Sequence, residues 1–310
     1  MELKSRVYVA GHRGLVGSAI VRALEKAGFK NLILRTRQEL DLLDDREVAD
    51  FFKKEKPEYV FLAAAKVGGI FANKEQPAEF IFENLKIQNN IIHNSYLTGV
   101  KKLLFLGSSC VYPRLAPHPI NEESLLTGPL EETSEAYALA KIAGIKMCEF
   151  YRKQYGCNFI SAMPTNLYGP NDNFDLKRSH VIPALIRKFE EAKKNGAKEM
   201  TLWGTGGPKR EFLHADDAAA ALLLLMNKYD DPKIINIGTG EDVTVKKLAS
   251  LVKEIVGFKG DIRWDTSKPN GVPRKPLDVG KIHKLGWKHK IGLRDGLISS
   301  YKWFQENFKA

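Results

Sequence analysis

VYVAGHRGLVGSAIVRALEKAG, residues 7–28, is the stretch on which the fold turns. Its first four residues form an apolar, β-type run. From Leu15 onward apolar residues recur at helical spacing until Gly28, where a helix should stop. Between the two lie glycines at 11, 14 and 17. A strand that passes into a helix through glycines lets the backbone turn tightly and approach a pyrophosphate, and the free N–H groups of the first helical turn face the anion. These residues read as a dinucleotide-binding turn between the first strand and first helix of a βαβ unit.

The same alternation continues downstream. The β-type runs NLILR, EYVFLAAA and KLLFLGSS are separated by the helical stretches DDREVADFFKKE, which Asp44 and Asp45 open, and PAEFIFENLKIQNNIIHNSYLTG. Repeated βαβ units predict an α/β fold: a Rossmann-type doubly wound parallel sheet covered on both faces. A further helix spans about 134–155. After Pro164 the regularity weakens: NLYGPNDNF is turn-rich, TLWGTGGPKREFLH is a strand leading into a Gly-rich turn, and DIRWDTSKPNGVPRKPLDVG is a Pro- and Lys-rich loop. The pattern divides the chain into a cofactor-binding domain over 1–165, with a return segment near 208–240, and a smaller, mainly substrate-binding α/β domain over 166–310.

The composition narrows the function classes. A chain of 310 residues with 44% hydrophobic and 27% charged residues suits one large or two small globular domains. Cys110, Cys148 and Cys157 are an odd count without C-x-x-C spacing, which argues against a disulfide framework or zinc site and for a reducing compartment. The histidines are dispersed without ligand spacing, so no metal is expected. The first ten residues run straight into a strand, and the longest apolar run, AAAALLLLM at 218–226, is far too short to span a bilayer. A cytoplasmic location and no membrane partner follow as expectations. The net charge of +11 is scattered among acidic residues, which fits a ligand carrying several phosphates better than nucleic acid.

The end of the second strand bears on cofactor choice. An acidic residue there accepts the ribose 2′-hydroxyl of NAD, whereas cationic residues accommodate the 2′-phosphate of NADP. The sequence reads Arg35-Thr36-Arg37, and the glycine turn adds Arg13; Glu39 and Asp41 come later. NADP(H) is the expected cofactor.

Tyr137 and Lys141 stand one helical turn apart on one face. An ammonium beside a phenol favours the phenolate and eases proton exchange with a ketone or alcohol oxygen. Ser108 and Ser109 close the strand KLLFLGSS, where a hydroxyl can bond the reacting carbonyl oxygen. Glycine turn, strand-end serine and Y-x-x-x-K, in that order, read as a carbonyl-reducing site.

The G-x-x-G-x-x-G spacing is similar to that of the extended short-chain dehydrogenases. The segments GHRGLVGSA, LRTRQELDL, LAAAKVGGI, FLGSSCVYP, EAYALAKIAGIK, MPTNLYGPNDNF, SHVIPAL, PKREFLHADD and PRKPLDV resemble one branch of them, the GDP-L-fucose synthase family, from about residue 5 to 305. Only the region around 228–234 looks short for that family. The resemblance implies an NADPH-dependent 3,5-epimerase and 4-reductase of GDP-4-keto-6-deoxy-D-mannose, acting as a homodimer through the helices near 77–98 and 134–155. It implies Ser108, Tyr137 and Lys141 as the reductase triad, and Cys110 and His180 as the pair that moves protons at the sugar carbons. Implied cofactor contacts are Gly11, His12, Arg13, Gly14, Leu15, Val16, Gly17, Arg37, Asp41, Leu42, Leu106, Gly107, Ser108, Ser109, Lys141, Pro164, Thr165, Asn166, Leu167 and His180. Lys188, Trp203, Arg210 and Asp278 are implied to hold the GDP-sugar. The basic loop with Lys268, Arg274 and Lys275 reads either as a solvated loop or as one that closes over a diphosphate.

Two rival readings stand beside this one. A nucleotide-sugar 4,6-dehydratase wants an acidic pair just past the strand-end serine, where the chain has Ser109-Cys110-Val111, and a 4-epimerase retains NAD, against which Arg35 and Arg37 speak. A non-catalytic protein that senses NADP or binds RNA would leave the Ser–Tyr–Lys set without a task, and the chain lacks the aromatic–basic interleaving of strand binders.

Overall fold

The computed structural model describes residues 1–176, 178–268 and 273–308. The first strand, β1 (Val7–Ala10), is buried along its whole length, as expected of a central parallel strand covered on both faces. It leads into α1 (Leu15–Lys26), which ends at Ala27, with Gly28 in the left-handed region at φ +91°. After β2 (Leu32–Ile33), α2 (Asp45–Glu55) opens where Asp44 accepts the N–H groups of Arg46 and Glu47 at 2.8 and 2.9 Å. Then come β3 (Tyr59–Leu62), the short α3 (Ile70–Glu75), and α4 (Pro77–Leu97), which starts on a proline whose missing N–H costs nothing there. The half closes with β4 (Lys102–Leu106), α5 (Glu135–Tyr155) and β5 (Phe159–Pro164).

The remaining elements are β6 (Asn166–Tyr168), α6 (Val181–Lys194), β7 (Glu199–Trp203), β8 (Lys209–His214), α7 (Ala215–Lys228), β9 (Ile235–Ile237), β10 (Asp242–Thr244), α8 (Val245–Val256), β11 (Asp261–Asp265), α9 (Gly280–Lys284) and α10 (Leu293–Asn307). The main sheet is parallel throughout, in the order β2-β1-β3-β4-β5-β9. α1 packs on α7, whereas α4 packs on both α2 and α5. The chain moves from β1 outward to β2 and then returns to β3 on the other side. This reversal opens a crevice at the carboxyl ends of β1 and β3, the place where doubly wound sheets bind ligands.

A second core, around Phe189, Leu248 and Phe304, lies among α6, α8 and α10 and two small sheets, β10-β8-β6 and β11-β7. Two segments differ from their sequence reading. NLYGPNDNF begins with a strand, because Asn166–Tyr168 pair in parallel with Phe212–His214. DIRWD is not loop but β11, paired with β7 from Asp261↔Glu199 to Asp265↔Trp203, its Ile262 and Trp264 set at period two.

Candidate active site

β4 is a fully buried apolar run that delivers Leu106 to the crevice. Beyond it Ser109–Val111 form one turn of 3₁₀ helix, capped by Ser108, whose Oγ accepts the Cys110 N–H at 3.2 Å. α5 approaches this strand end closely at Gly144, where a Cβ would stand 2.5 Å from the Phe105 ring. The close approach brings the Lys141 amine to the Leu106 carbonyl oxygen at 2.8 Å and 4.7 Å above the Phe105 ring. Tyr137, one turn earlier, bonds Ser108 through its hydroxyl, feels the Cys110 sulfur, and meets Phe80 edge-on at 6.4 Å. Ser108, Cys110, Tyr137 and Lys141 therefore share one site.

The electrostatics depart from the sequence expectation. Burial pushes the Lys141 amine down to about 7, because the ammonium has lost its water. Burial also raises the Tyr137 phenol above its ordinary range; Cys110 adds to that rise, and the Ser108 hydrogen bond opposes it. A lysine so easily deprotonated lends its tyrosine neighbour little positive charge.

His180 is the N-cap residue of α6, and its side chain makes no capping bond. The residue is exposed, yet desolvation holds its pKa below the usual imidazole range. The loop before it seats on the β3–α3 connection, where Gly69 N–H donates to Arg178 O at 2.9 Å. Neighbouring Gly68 lies against Phe80, the ring that touches Tyr137.

On the other side of the crevice Gly11, His12, Arg13, Gly14, Arg35, Thr36, Arg37, Gln38 and Asp41 line a cleft of about 640 Å³. Gly17 is required by packing, since a Cβ there would overlap the Gly11 carbonyl. Gly14 is not: a Cβ would have only an ordinary 3.5 Å contact, so its bareness serves whatever approaches from the cleft. Arg35 is committed to Glu55 at 2.6 Å, whereas Arg13 and Arg37 are exposed and make no hydrogen bond or ion pair among the described residues. Glu39 turns back onto the Thr36 N–H at 2.7 Å, away from the ribose role its position allowed. These donors fit the adenine end of a 2′-phosphorylated dinucleotide. Pro164 is buried at the end of β5. Thr165 N–H donates to Ile237 O at 2.9 Å and Asn166 Nδ2 to Glu211 O at 2.8 Å, which fixes the stretch that ends in half-buried Leu167.

The residues expected at the GDP-sugar lie on separate elements. Lys188 is half-buried on α6, and Trp203 is 64% exposed with the Lys268 ammonium 5.8 Å over its ring. Arg210, on β8, donates to its neighbour's carbonyl, Lys209 O, at 2.7 Å, and Asp278 accepts the Gly280 N–H at 2.8 Å. Arg274 of the basic loop is paired with Asp242.

Sequence reasoning passed over Asp172. One of its carboxylate oxygens accepts the Asn173 N–H at 2.7 Å; the other is buried without a partner among the described residues, and burial pushes the group up to about 7. Nothing in a turn-rich string separates an aspartate folded inward from a solvated one.

A doubly wound sheet with this glycine turn, strand-end serine and Tyr-x-x-x-Lys helix defines an extended short-chain dehydrogenase/reductase. The model of the NAD dependent epimerase/dehydratase family matches residues 7–238, and the chain belongs to that family and, within it, to the GDP-L-fucose synthases. A GDP-L-fucose synthase from Arabidopsis thaliana is 59% identical over 303 residues, 98% of this chain and 94% of that one. The Escherichia coli GDP-L-fucose synthase is 55% identical over 313 residues, 98% of each. Among solved structures, a GDP-mannoheptose C4 reductase from Campylobacter jejuni with NADP bound superposes with a TM-score of 0.90 at 47% identity, covering 98% of this chain and 99% of that one.

Proposed function

We propose that the chain converts GDP-4-keto-6-deoxy-D-mannose to GDP-L-fucose by inverting C3 and C5 and reducing C4, with NADPH as reductant. The observation that carries the reading is the position of Cys110. Its N–H is bound to the reductase serine, and its sulfur acts on the Tyr137 phenol, so a proton-transfer thiol sits inside a carbonyl-reducing site.

The chemistry follows from those groups. A C4 ketone acidifies the protons on C3 and C5, so each centre inverts through an enolate whose oxygen Ser108 and Tyr137 stabilise. Cys110 removes a proton from one face and His180 returns one from the other. NADPH, held by the glycine turn with Arg13 and Arg37 at its 2′-phosphate, supplies the hydride for C4. Tyr137 protonates the resulting alkoxide, and Lys141 holds the strand end against the helix. Lys188, Trp203, Arg210 and Asp278 hold the GDP-sugar in the smaller domain, 166–310, opposite the cofactor domain of 1–165 with its return near 208–240.

A homodimer fits the exposed apolar side chains of α3–α5, among them Phe71, Phe82, Leu97, Leu139 and Phe150, which a second copy would cover. A cytoplasmic location accords with the three free cysteines and with the absence, among the described residues, of any helix long and apolar enough to cross a membrane. Reduction without inversion is the second reading, favoured by the likeness to a C4 reductase. Incubation with NADPH and the keto-sugar decides: GDP-L-fucose as product supports the first reading, and a C4-reduced sugar of unchanged C3 and C5 supports the second.

A further inference from the structure

The turn that carries Cys110 is held from two directions. Upstream, β4 is followed by Gly107, whose N–H donates to Ala162 O at 2.9 Å, and Ser108 bonds Tyr137. Downstream, the chain runs through Val111 into Tyr112, both without exposed surface, and the Tyr112 hydroxyl donates to Asn236 Oδ1 at 2.5 Å. Asn236, equally buried in β9, gives its amide hydrogens to Ile120 O at 3.0 Å and Asp278 O at 3.1 Å, and its backbone N–H to Glu122 Oε1 at 3.0 Å. Asp278 N–H returns to Ile120 O at 2.8 Å, and the next residue back, Leu277, donates to the fully buried Glu211 at 2.8 Å. One buried hydrogen-bonded network thus ties the cysteine turn to the segment bearing Asp278. Buried polar networks of this kind fix a single geometry when every member is satisfied.

We propose that Tyr112 and Asn236 are positioning residues for the proton-transfer half of the reaction, holding Cys110 at a fixed height against the Asp278 segment. This rests on the reading of Cys110 as a group that moves protons at the sugar. The two halves of the reaction depend on the network unequally. Ser108 follows β4, while Tyr137 and Lys141 sit on α5; Ser108 O accepts the Val111 N–H at 3.2 Å and Ser109 O the Tyr112 N–H at 3.3 Å, backbone bonds that do not involve the Tyr112 hydroxyl. Cys110 lies two residues from Tyr112, and its own tie to the upstream side is the N–H bond to Ser108 Oγ at 3.2 Å. Releasing Tyr112 should therefore move the thiol and leave the hydride-accepting geometry in place. A network that served stability alone would affect both halves together.

The test is Tyr112→Phe, read by two assays on the full-length enzyme. With NADP⁺ and GDP-4-keto-6-deoxy-mannose in deuterated water, the rate of deuterium entry at C3 and C5 reports proton transfer. With NADPH, nicotinamide absorbance and product analysis report reduction. Exchange is expected to fall about tenfold, the scale of sub-ångström misplacement. NADPH consumption should fall less than about twofold, and a C4-reduced sugar lacking inversion should appear. NADPH binding and the thermal midpoint are measured alongside. If that variant does not fold, Tyr112→Met, which also removes the hydroxyl but leaves the Asn236 bonds to Ile120 and Asp278 in place, is held to the same expectation. Equal losses in both assays, or unchanged exchange in a folded variant, overturn the proposal. A wild-type enzyme that oxidises NADPH but exchanges no deuterium removes the Cys110 reading and this proposal with it, a result the variants cannot mimic.

Discussion

The Lys141 amine binds the Leu106 carbonyl oxygen at 2.8 Å and stands 5.8 Å from the centre of the Tyr137 ring, so the lysine of the Tyr-x-x-x-Lys pair is fastened to the sheet. Both groups are pushed toward their neutral forms by burial, the amine down to about 7. A phenol made this reluctant to ionise is a proton donor, which suits protonation of an alkoxide at C4.

Lys141→Met therefore removes a hydrogen bond that positions the strand end and should lower kcat for NADPH-dependent reduction by about 10²-fold or more. Stability moves independently. The folded-state amine titrates near 7 and the unfolded one near 10.5, so between these values the unfolded chain binds more protons and wild-type stability rises with pH. The thermal midpoint of Lys141→Met should lack that rise between about pH 7 and 10. Parallel pH curves for the two proteins would refute the buried, neutral lysine.

Arg37→Ala tests the cofactor cleft. Arg37 is exposed and makes no hydrogen bond or ion pair among the described residues; in its proposed role at the 2′-phosphate it would contribute a charge-assisted bond, and its loss should raise the KM for NADPH about 10–100-fold. The KM for NADH should barely move. Arg35→Ala should weaken NADPH binding less, because Arg35 is already paired with Glu55. Equal loss for both reduced cofactors in Arg37→Ala would remove the arginine from the phosphate.

The main sheet was legible in the sequence because parallel strands buried on both faces stand out as apolar runs, and the glycine turn marks which strand comes first. Ser108, Tyr137 and Lys141 were legible for a related reason: strand end and helix pitch place them locally. What escaped the sequence is long-range or inward-turning. Tyr112 and Asn236 meet across 124 positions, and no local period announces that contact. The Lys141–Leu106 bond turns on how closely Gly144 lets the helix approach, which spacing alone does not fix. β6 and β11 were missed because three- and five-residue strands beside prolines and glycines carry too few apolar residues to compete with a turn reading.

Cys110→Ser should slow deuterium exchange at C3 and C5 by about 10²–10⁴-fold while NADPH oxidation on the same keto-sugar continues. The serine fits the turn, since the Cys110 tie to Ser108 is made by its backbone N–H. Mass spectrometry of the sugar after single turnover separates the outcomes, and exchange at the wild-type rate would exclude the thiol as the base.

If His180 is the acid proposed above, it gives the exchange rate its pH dependence. Desolvation holds the imidazole below its ordinary 6.5, so the protonated form that returns a proton to the sugar is depleted as pH rises through that lower value. Exchange should accordingly decline with rising pH on a limb whose midpoint lies under 6.5, and His180→Asn should abolish the limb. A rate that climbs through the same range would reverse the two roles, making the neutral imidazole the base.

Asp172 supplies a prediction about stability with a definite sign. Its folded-state carboxyl is pushed up to about 7 from 3.8, with one oxygen buried and unpartnered among the described residues. Between those values the folded chain binds the extra proton, so stability falls as pH rises from about 4 to 7 and is then flat. Asp172→Asn keeps the oxygen that accepts the Asn173 N–H and removes the charge. Its thermal midpoint should match wild type near pH 4 and exceed it by at least about 2 °C at pH 8. If the two midpoints instead run parallel from pH 4 to 8, the carboxylate is solvated in the native protein and the inward-turned geometry of the loop before His180 is wrong.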